Sequence, residues 1–98
     1  MSLSSKLAVI VWIRHTERFD DIWAALLKAA RREPEHDTEY DSGRVFAHWD
    51  CESPASAQAL VVALKDVWNR PEIVYVHLAD YTKGGRSVTF KDTRFAGP

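Results

Sequence analysis

The chain has one cysteine, one methionine, four glycines and four prolines in 98 residues. A single cysteine, Cys51, excludes an internal disulfide and a cysteine-built zinc site. No apolar run is long enough to cross a bilayer, and Leu7–Ile13 is too short for the apolar part of a secretory leader. Repeats and low-complexity stretches are missing as well. What remains is the composition of a folded domain spanning 1–98, expected in the cytoplasm and away from membranes. Its core must be small, and self-association would bury more surface.

A large net charge is also missing, since the total is −1. The balance hides an asymmetry. Residues 33–52 hold seven acids and one base, Arg44, a net of −6, while the first 32 residues carry +3 and residues 53–98 carry +2. Within the acidic segment, Glu33, Glu35, Asp37, Glu39 and Asp41 occupy every second position. A β-strand turns alternate residues to one side, so a strand here shows its carboxylates as one row. Such a row protects a sheet edge from unwanted pairing, or it meets a cationic surface.

The apolar, β-branched run Lys6–Arg14 reads as a strand. Thr16–Arg32 reads as a helix, with Thr16 as its cap, Asp20 and Asp21 at its positive end, and Arg31–Arg32 at its negative end. Phe19, Trp23, Leu26, Leu27 and Ala30 form its buried stripe, and Pro34 stops it. His36–Tyr40 and Arg44–Cys51 read as strands joined at Ser42-Gly43. Ser53-Pro54, a cap followed by proline at the first helical position, starts a second helix carrying Ala57, Leu60, Val61, Leu64, Val67 and Trp68. Glu72–Ala79 and Arg86–Lys91 read as strands around Gly84-Gly85.

This β-α-β-β-α-β order, plus a C-terminal fifth strand, resembles the ferredoxin-like fold: an α+β domain with two helices on one face of an antiparallel sheet. The resemblance implies strand order 4-1-3-2, with the fifth strand beside the fourth or exchanged with a partner. Such a topology hosts many unrelated functions.

A two-residue turn at Ser42-Gly43 would place Asp41 opposite Arg44, Glu39 opposite Phe46, Asp37 opposite His48 and Glu35 opposite Asp50. The other parity, with His36 opposite Trp49, is more apolar and should face the helices, together with Leu7, Val9, Val11, Ile13, Val74, Val76 and Leu78. The uncovered face then carries Ile10, Trp12, Arg14, Phe46, His48, Asp50, Tyr75 and His77 beside the acidic row. Trp12, Phe46 and Tyr75 on an uncovered sheet call for a cover: a second copy packed sheet to sheet, an extra segment folded over it, or another protein.

Catalytic motifs do not assemble. Arg14-His15-Thr16-Glu17 resembles the R-H-G-E signature of histidine phosphatases, but threonine replaces the glycine and the chain is too short for that fold. His48 and His77 should lie two strands apart, roughly 10 Å, which is too far for a shared zinc. Cys51 and His48 have opposite parity, so no nucleophile pair forms between them. Neither a cofactor nor a metal is expected. RNA-recognition motifs share the topology, and Gly43–Trp49 is faintly similar to their third-strand signature, but a row of carboxylates beside the aromatics would repel phosphates.

The expected function is therefore non-enzymatic binding of a basic protein, as an immunity or inhibitor protein would neutralise a nuclease toxin. Glu35, Asp37, Glu39 and Asp41 would steer and pair, with Phe46, His48, Asp50, Trp12 and Tyr75 completing the contact. The main alternative is an enzyme of the dimeric α+β barrel type, a monooxygenase or isomerase, with Trp12, His48, Tyr75 and His77 lining a shared cavity. A structural or regulatory homodimer is the third reading.

Overall fold

The computed structural model describes residues 7–40, 43–82 and 86–95, without the side chain of Tyr40. The elements run β1 (Leu7–Arg14), α1 (Phe19–Ala30), β2 (His36–Tyr40), β3 (Arg44–Cys51), α2 (Pro54–Leu64), β4 (Ile73–Asp80) and β5 (Val88–Asp92). The sheet order is β2-β3-β1-β4-β5, and every neighbouring pair is antiparallel. This is the ferredoxin-like order with the fifth strand added beside β4. Among the described residues no helix is long and apolar enough to cross a membrane.

The helices pack on one side of the sheet. Strand alternation sends Leu7, Val9, Val11 and Ile13 of β1 to that side, where they meet Ala47, Trp49 and Cys51 of β3 and Val76 of β4. From α1 come Ile22 and Leu26, and from α2 come Ala57, Leu60, Val61 and Leu64. Trp49 is the largest fully buried side chain, and its indole N–H donates to the Arg32 carbonyl at the end of α1. That bond satisfies the ring's one donor inside the core. A bulge between Trp12 and Ile13 puts Ile73, not Val74, opposite Ile13, although Val74 is buried as well.

The two helices start differently. Ser53 caps α2 with both bonds of a capping box: its hydroxyl accepts from the Ser56 amide, and the Ser56 hydroxyl accepts from the Ser53 amide. The expected Thr16 cap of α1 is not made. The helix begins at Phe19 behind Arg18, and Thr16 Oγ1 instead accepts from the Arg18 amide, 3.2 Å away. It ends where Arg31 takes a left-handed conformation, φ 63°.

The β2–β3 register is displaced by one residue from the sequence expectation. His36 stands opposite His48, Asp37 opposite Ala47, Thr38 opposite Phe46, Glu39 opposite Val45 and Tyr40 opposite Arg44. The connection is a three-residue loop, 41–43, with Gly43 at φ 76° in its last position. A left-handed residue closing a three-residue hairpin is a familiar geometry, and glycine adopts it without steric cost. Asp41 and Ser42 lie outside the described residues, as does the Gly84-Gly85 turn.

Candidate functional site

A one-residue shift turns every side chain of a strand to the other side of the sheet. Asp37 and Glu39 therefore share the side of Ala47 and Val45, the helix side, and not that of Phe46 and His48. The expectation that they sit beside the sheet aromatics is overturned. His36, expected on the helix side, lies instead on the open face, its ring 5.4 Å from that of His48. The expected Asp37–His48 pair is replaced by His48–Asp50, 3.2 Å apart.

On the helix side, β2 overhangs the layer, and Asp37 and Glu39 stay exposed. Glu39 has a neighbour on the approach to α1. His15 Nε2 lies 3.3 Å from Glu39 Oε2. The His15 ring stacks on Phe19 at 4.4 Å, and Phe19 stacks on Trp23 at 5.6 Å. Residues 15, 19 and 23 are four apart, so they follow one line along the helix and its approach. The result is a strip of two exposed carboxylates, one of them in contact with the first ring of a three-ring ladder whose other two rings are half-buried aromatics. Sequence reasoning placed Phe19 and Trp23 in the buried stripe, and both do pack, half-buried, against the core; it missed their stacking with His15, for which the four-residue spacing was the available signal.

Glu35 has a different role. Its carboxylate pairs with Arg32 and accepts from the Asp50 amide at 2.9 Å. Arg32 in turn donates to the Asp50 carbonyl. Glu35 thus ties the end of α1 to the end of β3, and the expected like-charge contact with Asp50 is absent because the register does not put them opposite one another. This bridge borders a broad groove of about 1310 Å³ between the helices, lined in part by Arg32, Cys51, Ser56 and Leu60. Burial pushes the Cys51 thiol above its ordinary value, with Arg32 opposing, so the sulfur is held as a thiol.

The open face is built from the other parity. Trp12 lies at its centre, edge-to-face with Phe46 at 5.3 Å and with Tyr75 at 5.8 Å. Beneath and beside it, Ala8, Ile10 and Ala79 form a second buried cluster. Arg44 and Arg94 lie over the Trp12 ring at 5.7 Å and 5.4 Å, and Arg94 also covers Tyr75 at 4.0 Å. Asp92 binds the Arg94 guanidinium through both its oxygens, which holds the carboxyl below its usual range. Tyr75 stacks on His77, whose Nδ1 lies 2.8 Å from Thr89 Oγ1. Burial lowers the His77 value, and Arg94 lowers it further. The Trp12 indole N–H is buried with no acceptor among the described residues.

Of the residues singled out from sequence, Trp12, Phe46, His48, Asp50 and Tyr75 are brought together on the open face. Asp37 and Glu39 lie on the opposite side, Glu35 braces the fold, and Asp41 is outside the described residues. No cluster of three His, Cys, Asp or Glu side chains that could hold a metal forms among the described residues. Fold and surfaces together define a small α+β domain with two distinct decorated surfaces. No family model, curated protein or solved structure matches the chain.

Proposed function

We propose that the chain is a non-enzymatic binding module that engages a basic protein through its acidic flank, as an immunity or inhibitor protein engages a cationic toxin. The observation that carries this reading is that exposed Asp37 and Glu39 share one side of the edge strand, with Glu39 against His15 at the head of the His15–Phe19–Trp23 ladder. Carboxylates give steering and register to a partner rich in Lys and Arg. Aromatics next to them give the apolar anchor that charges alone do not supply. A nuclease presents such a cationic surface where it meets its substrate, so a carboxylate strip can occupy that surface in the substrate's place.

The test is capture from the source lysate with the wild-type chain and with the double reversal Asp37→Lys/Glu39→Lys. The expected partner is basic, is held by the wild type, and binds the reversed chain at least about tenfold more weakly. Its association should slow as salt rises, since the charges reach only about 10 Å at 0.1 M. The melting temperature of the variant should change little, because exposed charges contribute weakly to stability. Unchanged affinity together with unchanged soluble yield would reduce the row to edge protection, which lysine performs as well as glutamate.

A further inference from the structure

The observed register sets two histidines of the open face directly opposite one another, His36 on β2 and His48 on β3. With His36 on the helix side, as a two-residue turn would have it, the two could not share an ion. Their rings stand 5.4 Å apart, centre to centre, and are inclined at 72°. Two imidazoles bound to one tetrahedral zinc through bonds of about 2.0–2.1 Å have ring centres roughly 5 Å apart. The observed spacing is that of a chelate. We infer that His36 and His48 form a two-histidine site for a divalent transition-metal ion of the zinc kind, with Asp50 supporting His48.

His48 Nε2 lies 3.2 Å from Asp50 Oδ1. A carboxylate on that nitrogen keeps a proton there and leaves the Nδ1 lone pair for a metal, the support that ligating imidazoles usually receive. His36 is exposed and His48 half-buried, so an ion reaches the pair from solvent without opening the fold. The backbone beneath is tied from both strands. Glu35, next to His36, accepts from the Asp50 amide, and Arg32 joins Glu35 to the Asp50 carbonyl. The two strands that carry the ligands are thereby held in register, which lowers the cost of ordering a site.

The donor set selects the ion. Imidazole nitrogen suits zinc, copper(II) and nickel(II), whereas magnesium and calcium take oxygen ligands. Opposed imidazoles repel when both are protonated, and a shared metal ion takes the place of those protons. No third His, Cys, Asp or Glu joins them in a ligand cluster among the described residues, so the other coordination positions fall to water. His77 is not a candidate, because Ile10 of β1 stands between it and His48. The site lies across the sheet from Asp37 and Glu39, so it does not depend on the acidic flank.

Calorimetric titration of the full chain with zinc chloride tests the site. The wild type should bind one zinc ion with a Kd below about 100 μM, and His36→Gln and His48→Gln should each weaken it at least about tenfold. Asp50→Asn should weaken it about tenfold, the usual cost of losing the group behind a ligating histidine. His77→Gln should stay within about twofold of wild type, and excess calcium should not compete. Nitrogen-15 imidazole spectra should shift on zinc addition at His36 and His48 and stay in place at His77. Circular dichroism checks the fold of each variant; if His48→Gln unfolds the chain, the exposed His36→Gln and the imidazole spectra of the wild type carry the test. Affinity weaker than about 100 μM overturns the inference. So does zinc binding that survives loss of either histidine, or that calcium displaces. An Asp50→Asn variant that binds as the wild type does overturns the role given to Asp50.

Discussion

At the scale of single residues, the core follows from alternation and helical spacing. Leu64 is completely buried under the sheet. Leu64→Ala should cost about 2–5 kcal/mol in a denaturant melt, the lost transfer energy plus a cavity that neighbours fill only in part. A loss below about 0.5 kcal/mol would place the side chain outside the core. His77 makes a second, pH-dependent case. Its folded value lies below the ordinary 6.5, first through burial and then through Arg94. The unfolded chain therefore binds more protons here than the folded one as the solution is acidified. The stabilising contribution is complete above 6.5 and is lost as pH falls through the depressed folded value. The stability of His77→Gln should consequently vary less between about pH 7.5 and about pH 5 than that of the wild type. Parallel pH dependences for the two proteins would contradict the lowered value that partial burial and Arg94 give this imidazole.

At the scale of elements, what was legible was local, and what was misread was decided by distant contacts. Ser53-Pro54 signals the start of α2 by itself, because hydroxyl, proline and the following turn sit within four residues. Ser53→Ala should destabilise by about 0.5–2 kcal/mol. Thr16 looks like a cap in the sequence, yet Phe19 begins the helix where it can stack on His15 and pack on the core. Thr16→Ala should therefore stay within about 0.5 kcal/mol of wild type in the same melt. An equal loss at both positions would show that α1 starts a turn earlier than described. The parity of β1 and β3 was readable because their inward residues are apolar and buried. That of β2 was not, since Asp37, Thr38 and Glu39 are exposed at the sheet edge and burial prefers neither register. The sequence clue was Gly43, which takes a positive φ directly before Arg44 at the start of β3.

At the scale of the whole molecule, that one-residue difference separates two surfaces that otherwise merge. With the carboxylates on the helix side, the aromatic sheet face keeps Arg14, Arg44 and the Arg94–Asp92 pair at one end and Asp50 at the other. The acidic flank keeps its own rings on α1 and is free to meet a cationic partner. The reading of the acidic flank rests on the side of the sheet that Asp37 and Glu39 occupy. Nuclear Overhauser contacts in the isolated protein measure this directly. The expected pattern joins backbone protons of Asp37 with Ala47 and of Glu39 with Val45, and the Glu39 methylenes with the His15 ring. Contacts of Asp37 with His48 and of Glu39 with Phe46 would return the acidic row to the aromatic face and contradict the separation of the two surfaces.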